Sequence, residues 1–230
     1  MTNIQHNWED VQEKVALAAQ RSGRNSDEIN IVAVSKTFPG ECIRSAVEAG
    51  VTSIGENRVQ EAWPKYQELG KIASWHLVGH LQTNKVKRAL QIFDVIQSVD
   101  SLHLAEEISR RCTQMDRDVE ILLEVKTSDE PTKFGIAQDE AAEVAARIAK
   151  LPHLKISGLM TMGKWTSNEH EVRNCFQTLA RLRDQINASG SLAVALPHLS
   201  MGMSGDFEWA IEEGATIVRI GTAIFGPRPT

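Results

Sequence analysis

The sequence predicts a (β/α)8 barrel, an α/β fold in which eight parallel strands alternate with helices around a closed sheet. Three observations predict it. Eight short apolar runs alternate with one-sided helical patterns, most connections between them are only a few residues long, and an amphipathic helix precedes the first run. That opening helix can supply the barrel's eighth helix.

Ile4, Trp8, Val11, Val15 and Ala18 recur at helical spacing, and Ser22-Gly23 closes the helix with a glycine cap. The apolar runs are "IVAVSK", "VTSIGEN", "WHLVGH", "VIQSVD", "EILLEVK", "KISGLMTM", "ALPHLSMG" and "TIVRIGTAIF". Helical patterns fall between them at Cys42–Ala49, Val59–Leu69, Asn84–Phe93, Leu102–Cys112, Asp139–Ala149, His170–Ala188 and Phe207–Glu213. Val86, Ala89, Leu90 and Phe93 illustrate the one-sided stripe. "EAGVTSIGEN" and "EEGATIVRIGT" read as two copies of one helix-end, glycine, strand unit. No proline-, glycine- or serine-rich linker divides the chain, so residues 1–230 read as one domain. A doubly wound open sheet is the structural alternative.

A chain of 230 residues with 42% hydrophobic and 24% charged residues has the make-up of a folded globular protein rather than a disordered one. The net charge of −5, without a basic stripe interleaved with aromatics, argues against a nucleic-acid partner. Cys42, Cys112 and Cys175 are odd in number, far apart and form no C-x-x-C pair, which predicts a reducing compartment. The acid- and amide-bearing start lacks the pattern of a secretory signal, and no run approaches the roughly 20 apolar residues of a membrane span. A cytoplasmic location is expected.

In such barrels the chemistry sits at the carboxyl ends of the strands. Those ends read Lys36, Glu56-Asn57, His80, Asp100, Lys126, Met160–Met162, Ser200-Met201-Gly202 and Gly221-Thr222. Strand periodicity puts Val32, Val34 and Lys36 on one face, so Lys36 reaches either the barrel mouth or water. Ser200 and Gly202, then Ser204 or Gly205 at a helix start, together with Gly221-Thr222, fall on the loops after strands seven and eight. That is where barrels commonly hold phosphate, although tight turns and caps use the same residues. Arg219 interrupts an apolar strand and needs a partner, either a ligand or an internal carboxylate such as Glu56 or Asp100.

A phosphate cradle, a lysine across the mouth and an arginine beneath it describe a site for pyridoxal 5'-phosphate, whose aldehyde would form a Schiff base with Lys36. Other groups read as structural. His76 and His80 share a strand face roughly 13 Å apart, too far for one metal ion. His198 reads as a packed interior histidine, and "KTSDEPTKFG" as a solvated loop from which Lys133 could hang a second amine over the site.

"AVSKT", "IGENRVQE", "WHLVGHLQTNK", "GLMTM", "LSMGMSGDFEWAI" and "VRIGTAIFG" resemble the YggS/PROSC family of pyridoxal phosphate homeostasis proteins, in the family's order and over nearly the whole chain. The resemblance implies a fold-type III barrel similar to the N-terminal domain of bacterial alanine racemase, with Lys36 as the Schiff-base lysine. It also implies that Ser200, Gly221 and Thr222 hold the phosphate, with Met201 in the same loop. Arg219 would face the pyridine nitrogen and Asn57 would lie beside the ring.

A racemase needs two bases on opposite sides of the cofactor. Tyr66, the sole tyrosine, falls in a helix expected to pack outside the barrel, and the sequence ends just after its eighth strand. A guanidinium at the ring nitrogen would also weaken the cofactor as an electron sink. The expectation is a carrier that holds pyridoxal phosphate reversibly and maintains vitamin B6 homeostasis, with no catalytic residues and no metal. PLP-requiring apoenzymes are the partner class such a carrier would serve, with no nucleic acid or membrane, and a monomer or weak homodimer its expected state. An amino-acid racemase or decarboxylase of the same fold is the alternative. A phosphosugar enzyme using Lys36 is the outsider.

Overall fold

The computed structural model describes residues 3–128, 130 and 134–227. Its strands are β1 (Asn30–Val34), β2 (Ser53–Glu56), β3 (Ser74–Leu77), β4 (Val95–Val99), β5 (Val119–Glu124), β6 (Leu154–Met160), β7 (His198–Ser200) and β8 (Ile217–Ile220). Each pairs in parallel with the next, and β8 pairs with β1, closing the predicted barrel. The open-sheet alternative is excluded by that closure.

The helices are α1 (Ile4–Arg21), α2 (Gly40–Glu48), α3 (Val59–Leu69), α4 (Val86–Ala89), α5 (Leu102–Met115), α6 (Ala141–Ile148), α7 (Glu169–Ala188), α8 (Phe207–Glu212) and α9 (Thr222–Phe225). Helix α1 buries Trp8, Val11, Val15, Ala18 and Ala19 and packs on α2, α8 and α9, the place of the eighth outer helix. Its capping oxygen comes from Asn3, which accepts from His6 N. Arg24, just beyond α1, donates from Nη1 to Ile211 O and Ala215 O and so ties the opening helix to α8.

Side chains sort by strand parity. Val32, Val34, Val78, Val95, Leu122, Met160 and Ile217 form a cluster inside the barrel, while Ala33, Ile54, Ile96, Leu123 and Ile220 join the larger core between sheet and helices. The interior face also carries His76, Gln97, Ser200 and Arg219, all buried.

Three sequence boundaries are corrected. "IVAVSK" is strand only to Val34, so Lys36 stands in the turn beyond it, where Thr37 has a left-handed φ of 68°. "TIVRIGTAIF" is strand only to Ile220; the one-turn helix α9 begins at Thr222, where the chain must leave the sheet. The pattern at Asn84–Phe93 forms a 3-10 turn over Thr83–Lys85 followed by α4, shorter than its apolar stripe.

Two glycines are dictated by close packing near the mouth. A Cβ on Gly79 would fall on Asn57 O, so this glycine lets the loops after β2 and β3 touch. Gly202, at φ 92°, lies where a Cβ would strike Ala210 and Phe207, which keeps the loop after β7 folded against α8.

Candidate functional site

The carboxyl ends of the strands surround a cavity of about 950 Å³. Lys36, Asn57, Arg219, Gly221 and Thr222 all line it, so five of the predicted site residues are brought together. Val34, Phe38 and Val78 supply an apolar wall, and Met162 faces them from the end of β6.

The turn carrying Lys36 is fixed from both sides. Ser35 N donates to Gly55 O at 2.9 Å, and Ser35 Oγ donates to Glu56 Oε1 at 2.7 Å. Lys65 of α3 reaches the same place, donating to Ser35 O at 2.9 Å and to Glu56 Oε1 at 2.6 Å. On the far side, Phe38 stacks on Phe225 of α9 with ring centroids 5.3 Å apart. Burial raises the Glu56 carboxyl above its ordinary pKa, opposed by the Lys65 charge and the hydrogen bonds from Lys65 and Ser35. The half-buried Lys36 is therefore mounted on a held backbone rather than on a loose loop.

Arg219 is buried beneath the cavity. Its Nη1 donates to Ser200 Oγ at 2.6 Å, and its Nη2 donates to Thr161 O at 2.7 Å. Neither carboxylate considered from sequence is its partner: Glu56 pairs with Lys65, and Asp100 pairs with His80 at 2.9 Å. Burial lowers the Arg219 pKa to about 10, with Glu124 and Asp206 acting in the opposite direction, so it remains a cation at neutral pH.

Two residues expected at the phosphate loop do not reach the cavity. Ser200 and Met201 are fully buried and do not line the cavity. The Ser200 hydroxyl donates to Gln97 Oε1 at 2.6 Å and accepts from Arg219, so both its roles are taken within the barrel. Ser204, from the same loop, does line the cavity, and its hydroxyl accepts from Gly221 N at 3.2 Å and Ala223 N at 3.3 Å. With both N–H groups accepted by its oxygen, the Ser204 hydroxyl keeps its own hydrogen to offer to an anion in the cavity. Asp206 holds the preceding bend by accepting from Met203 N at 2.5 Å.

The β6–α7 loop was missed in the sequence. Lys164, Trp165, Thr166 and Ser167 line the outer cavity, and Trp165 is 86% exposed there. Its signal was an aromatic set in a polar loop directly after "GLMTM". Lys65 and Gln97 were missed too; a glutamine inside the apolar run "VIQSV" was the available sign of a buried polar contact. His76 lies in β3, hydrogen-bonded to Gln97, whereas His80 lies beyond the strand and stacks on Phe134 at 3.9 Å. Among the described residues no group of three or more His, Cys, Asp or Glu side chains is placed to hold a metal ion. Lys133 lies outside the described residues.

A closed parallel barrel with an amine, a buried guanidinium and the Ser204 hydroxyl at its mouth belongs to the class defined by the alanine racemase N-terminal domain, whose family model matches residues 1–229. The chain is 43% identical over 219 residues to the pyridoxal phosphate homeostasis protein of Aquifex aeolicus, covering 95% of each sequence. It is 40% identical to the Escherichia coli K12 protein of that name, over 99% of this chain and 98% of the relative. It therefore belongs to the family of pyridoxal phosphate homeostasis proteins. Among solved structures, Synechococcus elongatus PipY with PLP bound superposes with a TM-score of 0.82 at 36% identity, covering 94% of this chain and all of that one, 100%. An alanine racemase of Clostridium difficile 630 matches at TM-score 0.78 and 16% identity, over 99% of this chain but 57% of the racemase; it shares the fold.

Proposed function

We propose that the cavity binds pyridoxal 5'-phosphate and that the protein buffers or delivers this cofactor without robust turnover of its own. One observation carries the reading: Lys36, Arg219 and Ser204 meet in a single cavity of about 950 Å³. The residues fit the group. The Lys36 amine would take its aldehyde, Arg219 would face its ring nitrogen, and the Ser204 hydroxyl, with Gly221 and Thr222 beside it, would hold its phosphate. Thr222 and Asn57 complete the wall. The PLP-bound relative PipY and the names of the curated relatives support the same ligand.

When bound, this cofactor supplies an aldehyde that bonds reversibly to amines and a ring that can stabilise a carbanion. Arg219 disfavours the second use, because a guanidinium does not supply the ring nitrogen with a proton as a carboxylic acid can. Tyr66 cannot serve as an opposing base: it lies on α3, edge-on to Trp75 at 5.5 Å, and does not line the cavity. Recipients would be PLP-requiring apoenzymes in the cytoplasm.

The test is a visible spectrum of the protein with pyridoxal phosphate, before and after borohydride, followed by mapping of the reduced adduct. Lys36→Ala should abolish the band and leave the fold intact, since Lys36 sits in a turn outside the core. A band that survives in Lys36→Ala, or an adduct on another lysine, would overturn the assignment.

A further inference from the structure

Behind Arg219 a line of buried polar side chains crosses the barrel interior away from the cavity. Arg219 Nη1 contacts Ser200 Oγ at 2.6 Å, Ser200 Oγ contacts Gln97 Oε1 at 2.6 Å, Gln97 Nε2 contacts His76 Nδ1 at 2.9 Å, and His76 Nε2 contacts Ser74 Oγ at 3.2 Å. The links come from β8, β7, β4 and β3, so the chain joins both sides of the barrel. Ser200 and Gln97 are fully buried, and His76 nearly so.

The donors and acceptors fix a direction. A guanidinium only donates, so Ser200 Oγ accepts from Arg219 and must place its own hydrogen on Gln97 Oε1. With the Gln97 oxygen occupied in this way, its amide nitrogen faces His76. An amide nitrogen only donates, so His76 Nδ1 is the bare nitrogen and Nε2 carries the hydrogen offered to Ser74. Every link then donates away from the cavity. Burial supports the neutral imidazole this requires, pushing the His76 pKa down to about 4.

Reversing any one link would leave a buried group unsatisfied. An imidazolium at His76 would present an N–H to the Gln97 amide hydrogens. Turning the amide over would relieve that conflict but present its hydrogens to Ser200, already an acceptor for Arg219, and strand the serine hydrogen. Such a half-satisfied buried network is costlier than none, which is why the arrangement is locked.

We propose that Gln97 and His76, which do not reach the cavity, are positioning residues that fix the orientation of Arg219 through Ser200. The part of this proposal that concerns the cofactor rests on the pyridoxal phosphate reading of the cavity. The function of the chain is to hold the guanidinium toward the ligand while consuming one of its donors from behind. Without Gln97, Ser200 would lose its acceptor and could rotate, leaving the Arg219 plane to be held through its Nη2 contacts with Thr161 O and Met162 Sδ.

The first measurement needs no cofactor. In ¹⁵N NMR of the unaltered protein His76 should show the neutral Nε2–H tautomer, and the Arg219 Nη protons should be resolved and slowly exchanging. An Nδ1–H tautomer or an imidazolium at neutral pH would overturn the chain, whether or not any variant folds. In Gln97→Leu the Arg219 Nη signals should broaden or average. Gln97→Glu keeps an acceptor for Ser200 but turns an acceptor toward His76, so the histidine should move its hydrogen onto Nδ1 or carry one on each nitrogen.

The second measurement compares pyridoxal phosphate with its 1-deaza analogue, in which carbon replaces the ring nitrogen. Gln97→Leu should weaken pyridoxal phosphate by about fivefold to tenfold, the effect of one buried hydrogen bond, and leave the analogue nearly unchanged. Equal losses for both ligands, or unperturbed Arg219 signals in Gln97→Leu, would overturn the positioning role. Failure of the unaltered protein to bind pyridoxal phosphate at all would overturn the cofactor reading instead, and the ligand-free spectra would still decide the chain.

Discussion

Lys65 and Glu56 form an ion pair of 2.6 Å beneath the turn that carries Lys36, with the carboxylate fully buried and the ammonium side chain 12% exposed. Lys65 also donates to Ser35 O, so one ammonium from α3 serves both the carboxylate and the backbone next to the proposed attachment site. Among the described residues Glu56 Oε2 has no hydrogen-bond partner, and Lys65 and the Ser35 hydroxyl compensate the carboxylate through Oε1 alone.

Lys65→Met should therefore cost about 3–5 kcal/mol of stability, the range for removing one partner of a buried pair. Urea unfolding would measure it. The double variant Lys65→Met, Glu56→Gln should recover part of the loss, because no ionised group is then left buried. An effect below 1 kcal/mol in the single variant would show that the pair does not hold the turn.

Glu124, at the end of β5, gives a pH prediction. Burial, reinforced by Asp100 and opposed by Arg219, raises its pKa to about 7. A carboxyl whose pKa is higher folded than unfolded binds more protons in the native state, so its contribution is fully present below the unfolded value and is lost as pH rises toward 7. The shift corresponds to a loss on the order of 3 kcal/mol between about pH 4 and pH 7. Glu124→Gln should flatten that part of the stability-versus-pH curve, measured by chemical denaturation. A curve identical to that of the unaltered protein would place the titration elsewhere.

The two serines of the β7 region should separate in a binding experiment. Ser204→Ala removes a hydroxyl from the proposed phosphate site, so pyridoxal phosphate should weaken by about 1.5–3 kcal/mol while unphosphorylated pyridoxal barely changes. Ser200→Ala removes the link between Arg219 and Gln97 and should weaken both ligands alike. The opposite pattern would return the phosphate to Ser200.

The contrast between these serines shows what the sequence could tell. Alternating apolar runs and helical stripes made the barrel legible, because burying one face of each element is a local requirement visible as period. The strand ends made Lys36, Asn57, Gly221 and Thr222 legible as neighbours at one mouth, and a cation interrupting an apolar strand singled out Arg219. "LSMGMSG" holds two serines four positions apart, and which one meets the cavity depends on how the chain turns at Gly202, whose φ of 92° carries no side-chain pattern. Gln97 and Lys65 lie 103 and 30 residues from their partners Ser200 and Ser35, separations over which no local pattern speaks.

The decisive functional prediction concerns the α-proton of an amino acid. Exchange of that proton requires a base at the carbon and a cofactor ring able to stabilise the resulting negative charge. At the mouth Lys36 can serve as one base. Asp206 has one carboxylate oxygen engaged by Met203 N, and Lys164 is paired with Glu171 at 2.9 Å. Arg219 lies below with hydrogen bonds to Ser200 and Thr161 and keeps its own protons at neutral pH. A small amino acid can still enter an opening of this size and compete with Lys36 for the cofactor aldehyde, because that exchange needs only an amine. The protein should thus release or pass on the cofactor in the presence of amino acids while leaving their α-protons in place. Incubation of the loaded protein with L-alanine and other L-amino acids in deuterium oxide, followed by proton NMR and chiral analysis, should show negligible deuterium at Cα and no D-isomer. Rapid deuterium uptake that disappears in Lys36→Ala would overturn the carrier reading, and D-isomers accumulating with it would make the protein a racemase.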